Sequence, residues 1–248
     1  MSEWMKMGIA SLDTETTGLD TSKARIIEVG IVCYRDGKQE DTYSRLINPG
    51  MEISSKITQI TGISPDDLKG KPRFQDVADQ ILKCLENRIF VAYNAPYDLG
   101  MLRAEFARIG RAFPDIKVLD PLVLAREVLH LKSYKLGLVA DHLGINMERA
   151  HRAKDDADAA AQILYRIANK LPQDLNELIQ AQEQWKNAQD AKRRQWRQGR
   201  TEVSDMLNPH REQDTEQRLG PAYIYSKETY PDPLIAFVKD YASRVGRK

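Results

Sequence analysis

Two acidic residues, Asp13 and Glu15, follow an apolar segment near the start of the chain, within the stretch SLDTETTGLD. Alternate residues of a β-strand point to the same face, so the pattern predicts that these two carboxylates lie side by side. Two negative charges that close repel each other and resist burial. The pair therefore predicts either a bound cation or a solvated strand end.

Two further acids stand where a core would prefer apolar side chains. Asp98 opens a predicted helix directly after the apolar strand RIFVAYN, a position where an aspartate often serves as an N-cap. Asp156 begins a later predicted helix, over 155–171, and the helical period places it on an apolar alanine and isoleucine face. Its neighbours Asp155 and Asp158 align with polar residues. An inward-facing acid is costly to bury unless it is paired or binds a metal.

A histidine, His151, lies five residues before Asp156 and could simply pack or cap near a helix end. Taken together, the residues suggest one site instead, with this set: Asp13, Glu15, Asp98, His151 and Asp156. Carboxylates select hard divalent ions such as Mg²⁺ or Mn²⁺. Two such ions about 4 Å apart can stabilise both the attacking and the leaving oxygen of a phosphoryl displacement. A histidine can accept the proton of the attacking water near neutral pH.

The elements that must position these residues follow from the hydrophobic pattern. Three predicted strands occupy the first 50 residues, and the second and third are joined by a hairpin at Asp36-Gly37. A helix from residue 74, the strand 88–94, a helix over 98–110 and a short strand at 117–120 come next, followed by helices. A hairpin followed by crossover connections implies an α/β fold with a mixed sheet flanked by helices.

The composition changes after Pro172, and we expect a domain over 1–172 and a mostly helical C-terminal extension over 173–248. Within the extension, the stretch 186–200 carries six basic residues and one acid. Basic and aromatic side chains together can bind a single nucleic-acid strand. The candidates for such contacts are Lys192, Arg193, Arg194, Trp196 and Arg197. A solvated helix face and a helix that docks on a protein partner, including a second copy of this chain, are equally open interpretations.

The overall composition limits the classes of protein. The 248 residues carry a net charge of +1, so any nucleic-acid binding must come from local patches. No segment is apolar enough for a membrane span, and no signal-peptide h-region is present. The two cysteines, Cys33 and Cys84, lie in apolar runs, which predicts buried free thiols, no zinc site and a reducing compartment. We therefore expect a soluble, cytoplasmic protein.

Three segments resemble the motifs of the DnaQ-like, DEDDh-type 3′–5′ exonucleases: DTETTG, NAPYD and HRAKDDA. The resemblance covers about residues 7–171, and the order and spacing of the segments also match. It implies an RNase H-like fold with a mixed five-stranded sheet. It also implies that Asp13, Glu15, Asp98 and Asp156 hold two divalent metal ions, Mg²⁺ or Mn²⁺, and that His151 is the general base.

The resemblance also points to residues that would contact substrate: Thr16, Gly18, Ile60, Thr61 and Asn94. The segment ITQITGI is similar to one that lies along the terminal nucleotide in relatives, although many of them have histidine at Thr61. The second motif departs too, because Tyr93 and Tyr97 stand where histidine and phenylalanine are common.

From this family we expect a metal-dependent 3′–5′ exonuclease that removes nucleoside 5′-monophosphates from the 3′ end of mainly single-stranded DNA. The alternatives are a proofreading subunit of a DNA polymerase, an exonuclease that trims RNA, and a binding module that has lost catalysis. Against the proofreading subunit, the region after the nuclease segment has no Gln-x-x-Leu-x-Phe clamp-binding pattern.

Overall fold

The structure is a computed structural model that describes residues 3–147 and 151–207, with side chains described as far as residue 196. Of the predicted extension, the part beyond residue 207 lies outside the described residues. Along the described chain, five strands form one sheet: β1 Ile9–Thr16, β2 Ile26–Arg35, β3 Lys38–Leu46, β4 Ile89–Val91 and β5 Val118–Leu119. Nine α-helices are described: α1 Glu3–Lys6, α2 Ser55–Thr61, α3 Pro65–Leu68, α4 Phe74–Leu85, α5 Ala95–Arg108, α6 Pro121–Val128, α7 Leu136–His142, α8 Ala153–Ile167 and α9 Leu175–Leu207. A single 3₁₀ turn, Ala168–Lys170, extends α8.

The sheet has the order β3-β2-β1-β4-β5. The first three strands are antiparallel, and β4 and β5 run parallel to β1, so the predicted mixed five-stranded sheet is confirmed. The predicted turn at Asp36-Gly37 joins β2 to β3, and both residues have positive φ, as a tight hairpin requires. The carboxyl ends of β1, β4 and β5 meet at one edge of the sheet, where the segments that begin α5 and α6 also start.

Two hydrophobic cores lie on opposite faces of the sheet because side chains alternate along β1. Ile9 packs with α6 and α8 on one face, whereas Ala10 and Leu12 pack with α4 and α5 on the other. Gly30 on β2 permits an unusually close approach of α8, since a Cβ at this position would lie 2.2 Å from the backbone nitrogen of Lys154. The absence of a side chain at Gly30 therefore allows the start of α8 to lie in direct contact with β2.

The first half of α9 packs on the preceding part of the chain. Leu175 and Leu178 are buried in the same core as α6 and α8. Gln182 accepts a hydrogen bond from the backbone N–H of Asp120 (2.7 Å) and donates one to the carbonyl of Val118 (3.1 Å). Among the described residues no strand pairs with the outer side of β5, and this one side chain bonds to β5 and to the residue that follows it. The domain boundary near residue 172 stays a prediction.

Several boundaries differ from the sequence-based prediction. Helix α5 begins at Ala95, three residues earlier than predicted, because Pro96 suits a first helical turn. Helix α8 begins at Ala153 and ends at Ile167, since the chain tightens into a 3₁₀ turn before Pro172. The helices α1, α2 and α3 were not predicted, because they are too short to show a hydrophobic period.

Among the helices of residues 3–147 and 151–207, none has the length and apolar character needed to cross a membrane. Both cysteines are free thiols and buried, as the sequence predicted.

Candidate active site

The site begins at the carboxyl end of β1, which carries the predicted acidic pair. Asp13 and Glu15 are buried, with 2% and 6% of their surface exposed. They lie on the face of β1 that α8 covers, as the alternation of the strand predicts. In the ladder with β2, Asp13 is opposite Gly30 and Glu15 is opposite Glu28. The solvated strand end that the sequence left open is therefore not what forms.

Helix α5 brings the third acid to the same strand. One carboxylate oxygen of Asp98 accepts hydrogen bonds from the backbone N–H (3.0 Å) and the hydroxyl (2.7 Å) of Thr14, which stands between Asp13 and Glu15. Asp98 is buried inside the first turn of α5, and Asn94 occupies the N-cap position. The N-cap interpretation of Asp98 is therefore wrong, because the helix starts one turn earlier.

Helix α8 supplies the fourth acid and the histidine. Asp156 is buried, whereas Asp155 and Asp158 are half-buried, so the helical period identified the inward-facing acid correctly. Ligand atoms of Glu15, His151 and Asp156 all lie within 4.8 Å of one another. His151 has a φ of 63°, a left-handed conformation just before the helix starts. This turn brings the imidazole beside the two carboxylates.

A second buried glutamate fixes the start of α8 against the sheet. The carboxylate of Glu28 accepts hydrogen bonds from the guanidinium of Arg152 (2.7 Å from Nη2) and from the backbone N–H of Ala153 (3.2 Å). Arg152 is adjacent to His151, so this ion pair holds the histidine segment in place. The motif-based prediction did not include Glu28, and its only signal in the sequence was an acid inside an apolar strand.

Asp120 holds the turn that leads into α5. Its carboxylate accepts hydrogen bonds from the backbone N–H groups of Asn94 (2.9 Å), Ala95 (3.1 Å) and Leu122 (3.0 Å). Burial raises the pKa of Asp120 to about 6, and the three backbone donors oppose that rise. Because Asn94 adopts a left-handed conformation, φ 71° and ψ 50°, the turn needs such an anchor. The sequence indicated only an N-cap for α6, not this contact with α5.

The donor set fits a divalent cation. Four carboxylates lie buried along one edge of the sheet, and burying several like charges together is costly in the absence of positive charge. Carboxylate oxygens are the ligands that Mg²⁺ and Mn²⁺ prefer. Ligand atoms around one such ion are at most about 4.2 Å apart, so the spacing among Glu15, His151 and Asp156 needs only a small rotation of side chains.

The predicted substrate residues divide into two groups. Thr16 and Gly18 follow Glu15 along the chain, and Asn94 is the N-cap of the helix that carries Asp98. The hydroxyl oxygens of Thr16 and Tyr97 lie 2.6 Å apart, and each lies 2.8 Å from the carbonyl oxygen of Gly18. The two hydroxyl protons therefore form one bond between the hydroxyls and one bond to that carbonyl. Tyr97, which replaces the common phenylalanine of this motif, thus ties α5 to the loop after β1.

The other two predicted substrate residues, Ile60 and Thr61, lie on α2. The Ile60 side chain is 45% exposed. Thr61 is buried, and its hydroxyl donates to the carbonyl of Ile57 (2.9 Å) and accepts from the N–H of Ile63 (3.1 Å). Contacts of these residues with substrate stay a prediction, and for Thr61 the hydroxyl is already engaged within its own helix.

The basic candidates of α9 also differ in placement. Lys192, Arg194 and Trp196 are exposed, while Arg193 is half-buried and faces α6. The side chain of Arg197 lies outside the described residues. A role of these residues in nucleic-acid binding stays a prediction.

Comparison with known proteins agrees with this geometry. The family model for exonucleases matches residues 11–164, which is more than half of the chain and includes all five proposed site residues. The chain belongs to this exonuclease family. The predicted family is therefore confirmed, and with it the predicted class of enzyme, a hydrolytic exonuclease.

Curated relatives include polymerases and a nuclease. The chain is similar to "DNA polymerase III PolC-type" of Thermotoga petrophila, 39% identical over 160 residues, which is 64% of this chain and 12% of that protein. It is also similar to "3'-5' exonuclease DinG" of Bacillus subtilis, 34% identical over 170 residues, which is 68% of this chain and 18% of that protein. The match thus spans less than a fifth of the length of each relative.

Solved structures share the fold. A structure of exonuclease X with 5′ overhanging duplex DNA has a TM-score of 0.57 and 24% identity, covering 70% of this chain and 99% of that one. The nuclease domain of 3′hExo, described as a DEDDh family member bound to rAMP, has a TM-score of 0.58 and 18% identity, covering 66% and 93%. The predicted RNase H-like exonuclease fold is thereby confirmed.

Proposed function

We propose that this protein is a metal-dependent 3′–5′ exonuclease that removes nucleoside 5′-monophosphates from single-stranded DNA and DNA 3′ ends. The observation that carries the proposal is that Glu15, His151 and Asp156 have ligand atoms within 4.8 Å of one another. Asp13 is buried on the same strand as Glu15, and the buried Asp98 is bonded to Thr14 between them. This chain retains all four acids and the histidine, a costly arrangement that an inactive binding module would not need.

In this proposal Asp13, Glu15, Asp98 and Asp156 hold two Mg²⁺ or Mn²⁺ ions. When bound, these ions would supply positive charge for the attacking and leaving oxygens of a phosphodiester. The hydrogen bonds from Thr14 fix the Asp98 carboxylate at the strand, and α8 carries Asp156 to the same place. The protein therefore presents its acids preorganised, so little rearrangement is needed when substrate arrives.

His151 acts as the general base. It accepts a proton from the water that attacks the terminal phosphodiester, and the leaving group is the 3′ oxygen of the penultimate nucleotide. Its imidazole lies within 4.8 Å of ligand atoms of Glu15 and Asp156, so it also has the reach of a metal ligand. We assign it to proton transfer because the four carboxylates already supply the hard oxygen ligands that such ions prefer.

DNA is the proposed substrate because the curated relatives carry names of DNA metabolism, and because exonuclease X and exonuclease I were solved with DNA strands. RNA is the second candidate, since a similar structure is titled for recognition of a histone mRNA stem-loop. A proofreading role beside a polymerase is the third, supported by the PolC-type relatives.

Two further points belong to the proposal. A cytoplasmic location is supported by the buried free thiols of Cys33 and Cys84, which suit a reducing compartment. A protein partner or a second copy of the chain would bind through the extension after residue 172.

The test uses matched DNA and RNA strands labelled at the 5′ end. With Mg²⁺ the labelled strand should shorten stepwise into a ladder, and a strand blocked at its 3′ end should resist. Chelator should stop the reaction, and added Mg²⁺ or Mn²⁺ should restore it. Immediate release of a labelled mononucleotide would contradict the polarity. Full activity in excess chelator would contradict the metal requirement. If the RNA strand is degraded faster than the DNA strand, RNA and not DNA is the preferred substrate.

A further inference from the structure

A basic cleft lies where α9 packs on α6, next to the turn that begins α5. Three cationic side chains line it, namely Arg126 from α6 and Lys186 and Arg193 from α9. Asn94 and Pro96 form part of the same lining, and Asp98 is one helical turn further along α5. The start of α5 therefore contributes residues both to the cleft and to the acid site, so the two sites are adjacent.

Arg126 is held in this cleft without a carboxylate partner. Its guanidinium lies over the ring of Tyr134, 6.0 Å from the centroid, and among residues 3–147 and 151–196 it forms no ion pair. Burial lowers the pKa of Arg126 and the positive charge of Arg193 lowers it further, whereas Tyr93, Asp120 and Asp190 act in the opposite direction without reversing the shift. An arginine so placed gains from an anion that lies between it and Arg193.

The two acids of the cleft do not fill this role. The carboxylate of Asp120 already accepts three backbone N–H groups. Asp190 pairs with Lys186 at 3.5 Å, one turn back on the same helix. Two arginine guanidinium groups thus remain to bind a ligand, one contributed by each wall.

We propose that this cleft binds an internal phosphate of the nucleic-acid strand, upstream of the phosphodiester that is cut. The proposal rests on the proposed exonuclease function. The planar guanidinium of arginine matches phosphate oxygens in two places at once, which suits a phosphodiester better than a lone ammonium does. A strand whose 3′ end lies at the acids would pass Asn94 and Pro96 and reach Arg126 and Arg193 next.

The proposal assigns different roles to basic residues on different faces of α9. Arg193 lines the cleft, whereas Lys192 and Arg194 are exposed and do not. If the basic run were only a solvated helix face, all three side chains would contribute alike to strand binding. The cleft predicts that Arg193 contributes more than either neighbour, although all three carry the same charge.

Binding is measured by fluorescence anisotropy of a labelled single DNA strand, in chelator, at several salt concentrations. Arg126→Gln and Arg193→Gln should each weaken binding by about tenfold at low salt. Each should also reduce the slope of log K against log salt by about 0.7, the value for one phosphate contact on a single strand. Arg166→Gln removes an exposed charge at the end of α8 and should leave the affinity unchanged.

Turnover then separates this proposal from the exonuclease function. A dinucleotide contains only the phosphodiester that is cut, so it has no phosphate for the cleft. With Mg²⁺, Arg193→Gln should raise KM for the long strand about tenfold and leave turnover of the dinucleotide unchanged. The proposal would be overturned if Arg193→Gln affected both substrates equally. It would also be overturned if the rise in KM were no larger than that caused by Lys192→Gln or Arg194→Gln.

If the wild type cuts neither substrate, the exonuclease function fails, and the anisotropy measurement still decides whether the cleft binds nucleic acid. If Arg126→Gln does not fold, Arg193→Gln on the half-exposed wall carries the test. Wild-type affinity for the strand in both variants would also overturn the proposal, and would leave an acidic protein partner as the occupant to seek.

Discussion

Buried acids serve two different purposes in two regions of this protein. At the start of β2, the completely buried Glu105 of α5 accepts hydrogen bonds from Arg25 (2.7 and 3.0 Å) and from the N–H of Ile26 (3.1 Å). Arg108 approaches the same carboxylate at 3.3 Å. At the end of β1, by contrast, the buried acids lie beside other acids and His151.

This difference separates stability from chemistry. An acid surrounded by arginines and a backbone donor joins two elements, and removing it leaves buried groups unsatisfied. Acids gathered together repel one another, so such a cluster lowers the stability of the fold in the absence of a cation. In the proposed assignment, buried charge alone does not distinguish the active site, because Glu105 is buried as well. The distinguishing feature is that buried acids lie close to one another. A variant of the acid cluster should lose turnover and keep its stability, whereas a variant at Glu105 should lose stability and keep its turnover.

The largest effect is expected from Asp156→Asn. Loss of one carboxylate of the cluster should reduce turnover by on the order of 10³-fold or more, because metal-ion stabilisation of the transition state is worth several kcal/mol. In chelator, the same variant should melt at or above the wild-type temperature, since one repelling charge is gone. Asp155→Asn, which changes the adjacent half-buried acid that pairs with Lys154, is the control. A strongly destabilised Asp156→Asn with normal turnover per folded molecule would contradict the comparison.

His151→Ala should lower turnover by about 10²-fold or somewhat more, the contribution of a general base. Binding of Mn²⁺, measured by calorimetry, should change little. If Mn²⁺ affinity falls as much as turnover does, His151 is a metal ligand and not the base.

Glu105→Gln tests the other region. It should lower the free energy of unfolding by about 2 kcal/mol, because Arg25 and Arg108 lose their buried partner but can still reach water. Turnover per folded molecule should stay within a few-fold of wild type. Urea unfolding beside the exposed variant Glu86→Gln provides the measurement. An unchanged unfolding free energy would show that the pair does not stabilise the fold.

The smallest effect is expected from Tyr97→Phe, at the border of the two regions. The change removes the hydroxyl that bonds to Thr16 and to the carbonyl of Gly18, and should cost about 1 kcal/mol of stability. Because the hydroxyl of Thr16 can donate to the carbonyl of Gly18 in the variant, turnover should fall by only a few-fold. Thermal melting and steady-state kinetics on one preparation provide the measurement. A much larger loss of turnover would contradict this prediction and would indicate that Tyr97 takes part in the reaction itself.

Periodicity in the sequence predicted the parts of the site that each lie on one element. The alternation along β1 placed Asp13 and Glu15 on one face, and the helical period selected Asp156 from three neighbouring acids. Both predictions need only the geometry of a single strand or helix. The order and spacing of the three motifs then indicated that these elements contribute to one site, and the match to the exonuclease family agrees with that assignment.

Contacts between distant elements could not be predicted in this way. Asp120 looks like an ordinary N-cap, yet two of its three backbone donors belong to the start of α5. The sequence indicated that the extension packs on something but left open whether on the main domain or on another chain. Polar side chains such as Gln182 attach α9 to the sheet edge and leave little hydrophobic pattern that could decide this. Such contacts depend on where two segments meet, which local sequence does not contain.

The most direct test measures unfolding and turnover on the same samples of wild type, Asp156→Asn and Glu105→Gln. The substrate is a 5′-labelled single DNA strand with Mg²⁺, and unfolding is followed in chelator. The account predicts that Asp156→Asn forms no ladder yet is at least as stable as wild type, while Glu105→Gln forms the ladder and unfolds more easily. The reverse pattern, or loss of both properties in both variants, would contradict the claim that the acid cluster is the active site.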